Sequence, residues 1–131
     1  MSGPTPMSIP VAVERLRNEI LGFTFAPYLI TVSDDAHPHA VAVEVTWDAD
    51  TLAMQVGKRS ARNSSARPEV SLLWPPNEPG GYTLIVDGTA APTTGDDRIA
   101  VTPTRAVLHR PAAAPDLTKP GCSADCIPIL G

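Results

Sequence analysis

The amino-acid sequence predicts a mainly-β fold. The expected form is a small antiparallel barrel of six strands, with one N-terminal helix and a short helix between strands three and four. Three observations carry that prediction. Between residues 28 and 109, short runs rich in Val, Ile, Leu and Thr are punctuated by Asp, Gly and Pro clusters, as in strands joined by hairpins. Helical spacing is confined to two stretches. Finally, an open sheet of six antiparallel strands would leave two edges of unpaired backbone groups, and closure removes them.

Each element has its own local reason. Residues 1–9 read as a flexible leader. Pro10–Gly22 has helical spacing, with Val13, Leu16 and Ile20 on one face, Ser8 as N-cap and Gly22 as stop. Tyr28–Ser33 is a β run, and Asp34–Pro38 is a turn. His39–Trp47 alternates Val41, Val43, Val45 and Trp47 against Ala40, Ala42, Glu44 and Thr46. That period of two predicts a strand paired back on the first as a hairpin. Asp48–Asp50 turns the chain into a third strand, Thr51–Val56. Gly57–Arg67 breaks the pattern. Ser60 is the expected cap of a short helix ending near Ala66, since Pro68 forbids its continuation. Val70–Trp74, Tyr82–Ala90 and Arg98–His109 are strands four to six. Pro103 has no amide to donate, so it must sit at a bulge or an edge. From Pro111 onward Ala, Pro and Gly dominate without periodicity, which reads as an extended tail over 111–131.

Composition narrows the function classes. At 131 residues there is room for one domain, placed at 10–110. A hydrophobic fraction of 43% and a charged fraction of 18% exclude a coiled coil and a wholly disordered chain. The formal net charge of −4 argues against nucleic-acid binding, which starts from a basic face. No run approaches the ~20 apolar residues of a membrane helix. Met1–Pro10 lacks a basic start followed by an apolar core, so the expected location is cytoplasmic. Cys122 and Cys126 are the only cysteines; two alone make no disulfide framework, and they read as unconstrained thiols.

The charge pattern singles out one segment. Between Asp50 and Glu69 there is no acidic residue, yet Lys58, Arg59, Arg62 and Arg67 lie there. Lys58 and Arg59 flank the start of the short helix, whose free N–H groups already carry partial positive charge. A bound phosphate would resolve that repulsion by accepting hydrogen bonds from the helix amides, from Ser60 and from the arginine fork.

The run Gly57-Lys-Arg-Ser-Ala-Arg-Asn-Ser-Ser-Ala-Arg-Pro-Glu-Val-Ser-Leu-Leu-Trp-Pro75 resembles the strand–helix–strand core of the pyridoxamine 5′-phosphate oxidase-like FMN-binding split barrels. That superfamily includes the actinobacterial flavin- and deazaflavin F420-dependent oxidoreductases. The likeness extends, less specifically, over about residues 10–110. It implies a six-stranded antiparallel split β-barrel that forms a homodimer, with flavin in a groove between subunits. By position, Arg59 matches the residue that grips the cofactor phosphate, and Ser60 stands where the oxidase has lysine. Lys58 lies one residue earlier, and Arg62 and Asn63 occupy the helix face nearest the phosphate. Gln55, Val56 and Gly57 resemble the segment under the flavin ring. Val43, on the second strand, would offer backbone groups to the ring's polar edge, and Trp74 would wall its side. The oxidase also has arginine and lysine on the second strand, where this chain offers His39 and Glu44, and its C-terminal substrate strand is missing here.

The resemblance therefore implies an FMN-binding oxidoreductase acting on a small-molecule substrate, without nucleic-acid or membrane partners. Use of F420 on the same fold is the alternative, as is a non-catalytic flavin- or tetrapyrrole-binding protein. No metal is expected: His37 and His39 flank Pro38 in a hairpin, where exposure to solvent is the default reading. Trp47 and Trp74 end strands, a position that also suits packing.

Overall fold

The structure, a computed structural model, describes residues 7–112. The tail with Cys122 and Cys126 lies outside the described residues. The strands are β1 (Met7–Val11), β2 (Tyr28–Val32), β3 (Pro38–Ala42), β4 (Val45–Asp48), β5 (Thr51–Gln55), β6 (Glu69–Trp74), β7 (Thr83–Pro92) and β8 (Arg98–Arg110). A 3-10 turn over Val13–Arg15 leads into α1 (Leu16–Leu21), and α2 (Lys58–Ala66) joins β5 to β6. All strands form one curled antiparallel sheet in the order β3-β2-β6-β7-β8-β5-β4, with β1 also on β8. No helix among the described residues is long and apolar enough to cross a membrane.

The sheet has eight strands where six were expected, for two reasons. The expected leader and helix give way at Met7–Val11, which pairs with Arg110–Ala106 of β8. Helical structure then begins only at Val13. Leu16 is fully buried and Ile20 packs on the core, but Val13 stays 41% exposed. The expected strand His39–Trp47 is broken at Val43 and Glu44, because the chain changes partner there. β3 pairs with β2, whereas β4 pairs with β5 at the other end of the sheet. Buried Val43 donates its N–H to the Pro27 carbonyl at 3.0 Å. Two residues thus link the terminal strands and hold the sheet in its curl.

Alternation places the core. Leu29, Leu72, Val86 and Ala106 oppose one another across β2, β6, β7 and β8, and all are buried. Each such leucine or valine contributes roughly 1.5–3 kcal/mol by leaving water. Pro103 sits at a bulge, as its missing amide requires. The β7–β8 register shifts between Asp87 and Gly88, so that Asp87 opposes Arg105 while Gly88 opposes Pro103. The strands approach closely there. A Cβ on Gly88 would lie 2.6 Å from the Thr102 carbonyl oxygen and from Val101 Cγ1, so only glycine fits.

Candidate functional site

α2 begins two residues earlier than its expected cap. Gly57, extended at φ −81° and ψ 172°, is the N-cap and supplies no side chain. The first helical bond runs from Ala61 N–H to the Gly57 carbonyl at 3.0 Å. The amides of Lys58, Arg59 and Ser60 precede it and have no partner within the helix. No acidic residue lies in that first turn.

Ser60 faces inward rather than capping. With Asn63 and Ser64 it forms the buried face of α2, at the i, i+3, i+4 spacing of one helix side. This face is polar, so it needs polar partners. Asn63 Nδ2 donates to Thr31 Oγ1 at 3.1 Å, Ser64 donates to the Ala61 carbonyl at 3.2 Å, and Ser60 Oγ lies 3.5 Å from His39 Nδ1. Arg67 closes the helix against the sheet. Its Nε donates to the Val32 carbonyl and its terminal nitrogen to Asp34, both at 2.7 Å.

Two concavities adjoin the start of α2. A cleft of about 350 Å³ is lined by His39, Val41, Ala42 and Val43 of the β3 segment and by Gln55 to Ser60. A second, of about 480 Å³, lies between the β2–β3 turn, with Asp34, Asp35 and His37, and the α2 residues Arg59, Arg62 and Asn63. His39 and Arg59 line both. The structure therefore brings together Val43, Gln55, Val56, Gly57, Lys58, Arg59 and Ser60, with Arg62 and Asn63 next door.

Three of the expected site residues have other engagements. Trp74 is packed in the core at 2% exposure and lines neither concavity, because its strand position points inward. Asn63 is tied to Thr31. Gln55 donates its amide to the carbonyls of Asp96 at 2.8 Å and Asp97 at 3.2 Å, pinning that turn at the cleft mouth. Lys58 is nearly all exposed, 3.5 Å from Asp97. Arg59 and Arg62 have no carboxylate within 4 Å among the described residues, so their charge is open to a ligand.

His37 pairs with Asp35 at 3.0 Å, while His39 turns to Ser60, so the two histidines do not converge on one point. No group of three or more His, Cys, Asp or Glu suited to a metal occurs among the described residues. The hydroxyl of Ser33 and then the ring of His37 hold the Asp35 carboxyl below its usual range. Trp47 stacks under the Arg17 guanidinium at 4.4 Å. Sequence reasoning left out Thr31 and noted His39 only as standing where the oxidase has a basic residue on its second strand. The structure sets the two opposite each other in the register of the first hairpin.

No family profile matches the chain. Two uncharacterized proteins, from Mycobacterium bovis and Mycobacterium tuberculosis, are each 42% identical over 134 residues, spanning 89% of this chain and 93% of the relative. Among solved structures, an F420 reductase superposes with a TM-score of 0.52 at 23% identity, covering 66% of this chain and 92% of its own. A Listeria innocua protein assigned as a pyridoxamine 5′-phosphate oxidase gives 0.56 at 21% identity, over 71% and 97%. An FAD-binding protein from Mycobacterium smegmatis gives 0.57 at 13% identity, over 79% and 99%.

Proposed function

The chain belongs to one family with the two mycobacterial proteins and has the split-barrel fold of the pyridoxamine 5′-phosphate oxidase-like group; on that premise we propose that it binds FMN and serves as an oxidoreductase for a small-molecule substrate. One observation carries the reading. The N-terminal turn of α2, with no acid of its own, presents three free amides and the unpaired Arg59 guanidinium to a cleft walled by β3, and the unpaired Arg62 lines the adjoining concavity. That donor set fits a phosphate, which neutralises the helix end and the arginines together. Arg59 would grip the phosphate, the Lys58–Ser60 amides would orient it, and Lys58 and Arg62 would add long-range attraction. Val41–Val43 and Val56 supply an apolar wall that excludes water from a ring. A flavin supplies hydride or electron transfer at its ring when bound, and the protein's part is to hold and shield it. F420 is the second reading, favoured by the run of basic residues, which suits its acidic tail.

A two-fold dimer is part of this proposal. On the outer sheet face Ala42, Tyr28, Leu73, Ile85, Val107 and Pro10 oppose one another in a single row across six strands. Tyr28 is 44% exposed. An apolar row of that length on the outside of a small domain suits a second copy. Light scattering at micromolar concentration should give twice the chain mass; a clean monomer would count against the shared groove.

The decisive measurement is a flavin fluorescence titration of wild type and Arg59→Ala with FMN and with riboflavin, which lacks the phosphate. Because Arg59 is exposed, solvent screens its bond, and the expected loss for FMN is about tenfold, or ~1.4 kcal/mol. Riboflavin should bind both proteins alike. Equal losses for the two ligands would mean that Arg59 shapes the pocket without reading a phosphate.

A further inference from the structure

We infer that Asp87 and Arg105 set the register of the two-fold dimer, pairing crosswise with the Arg105 and Asp87 of a second copy in a reciprocal charge cluster; this rests on the outer sheet face being the dimer interface. The β7–β8 bulge creates the pair. Thr104 has no counterpart on β7, so Asp87 opposes Arg105 while Gly88 opposes Pro103. Thr104 and Arg105 are consequently both exposed, between buried Pro103 and buried Ala106, which is how a bulge re-aims a side chain. Asp87 Oδ1 accepts from Ser71 Oγ at 2.7 Å, and Oδ2 lies 3.3 Å from Arg105 Nη1. A guanidinium has five N–H groups, and Asp87 is the one side-chain partner of Arg105 among the described residues. The two side chains are 39% and 69% exposed, so most of this charge faces outward.

The pair lies two residues along β7 and β8 from Ile85 and Val107 of the apolar row, about 7 Å away. The sheet curls around its core, so its outer face is convex and a second copy touches it along the central strands. β7 has three strands on either side in the sheet order, with β8 next to it. A two-fold contact sets residue i on j and j on i, and this leaves few placements of the axis. An axis parallel to the strands and midway between β7 and β8 sets each β7 on the other copy's β8. Ile85 then meets Val107, Leu73 meets Pro10, and Asp87 meets Arg105 twice over. An axis over β7 sets Asp87 on Asp87, and one over β8 sets Arg105 on Arg105. An axis along the apolar row sets Arg105 on His109, beside Arg110, and leaves Asp87 on Thr83. The first placement alone gives every one of these charges an opposite, and like charges juxtaposed across an interface are strongly disfavoured.

The test is subunit exchange between the full wild-type chain and the doubly swapped variant Asp87→Lys/Arg105→Glu. Each protein keeps an opposite pair within its own chain and across its own dimer. A mixed dimer sets Asp87 against the introduced glutamate and Arg105 against the introduced lysine. With a mass tag on one protein, native mass spectrometry counts the dimers. Free mixing gives about half mixed dimers, as tagged and untagged wild type should; with the swapped variant that share should fall roughly three- to tenfold. Asp87→Lys and Arg105→Glu should each self-associate at least about tenfold more weakly than wild type, and should pair with each other when mixed. Free mixing of wild type with the swapped variant, or a swapped variant that is folded but monomeric, overturns the inference and leaves the dimer reading intact. Wild type that is monomeric at micromolar concentration removes both. Should the swapped variant fail to fold, the single variants decide: no gain of dimer on mixing D87K with R105E overturns the inference.

Discussion

Strand β2 serves two buried surfaces from one face. Leu29 points into an apolar row with Leu72 and Val86, while Thr31, two residues on, points under α2 and meets Asn63. Both residues have no exposed surface. The core is stabilised by area and close packing, which are forgiving of exact direction. The seat of α2 is stabilised by a few directed hydrogen bonds among Thr31, His39, Ser60 and Asn63, and each is costly to leave half made. A helix docked through serines and an asparagine binds the sheet less strongly than one docked through leucines, but it is placed in one register. That placement is what a cleft at its N-terminus needs.

The comparison predicts unequal responses to truncation. Leu72→Ala should be the most damaging change, costing about 2–5 kcal/mol through lost burial and a residual cavity. It should lower the urea midpoint without altering FMN affinity of the protein that remains folded. A loss below ~1 kcal/mol would mean that the barrel interior is loosely packed there.

Asn63→Ala should cost less, about 1–3 kcal/mol, because it strands the buried Thr31 hydroxyl. Thr31→Val strands the Asn63 amide in the same way. The double variant should cost clearly less than the two singles added, since nothing is then left unpaired. FMN affinity should fall in the singles, because α2 loses its register. Additive stability losses would show that the 3.1 Å contact carries no coupling.

The smallest effect belongs to the exposed β2–β3 turn. Asp35 is held below the ordinary carboxylate range first by Ser33 and then by His37. A carboxylate lowered by folding contributes stability above its unfolded range, near ~4, and that contribution is lost as pH falls through its folded value. Ser33→Ala should therefore raise the Asp35 titration midpoint, read by carboxyl-carbon NMR. The pH-dependent part of its stability difference from wild type should close on acidification, and the difference should stay small because solvent screens the turn.

How far the sequence was legible follows from the range of each cause. The hairpin of β2 and β3, the bulge forced by Pro103 and the basic start of α2 all depend on neighbours within a few residues. Those were readable. Strand β1 was not, because Met7–Val11 carries two residues of β signal and a proline, and becomes a strand only by pairing with β8, a hundred residues away. The break at Val43 and Glu44 was hidden in an unbroken alternation, since nothing in a period of two records a change of partner. Trp74 read as a cleft wall because it ends a strand beside the basic segment. Which face it took depended on the β6–β7 register.

By itself, then, the sequence determined a mainly-β chain with period-two strands, its turns, and a cationic helix start without a compensating acid. Alternation, turn chemistry and local charge are properties of short segments, and they survive any arrangement of the rest. Tertiary structure decided that the ends of the sheet meet through two residues, that β1 joins β8, and that the serines and asparagine of α2 face inward onto Thr31 and His39. Burying a polar face is unfavourable until matching groups stand opposite it, and those groups come from a hairpin some thirty residues earlier in the chain. Only the folded sheet brings them together.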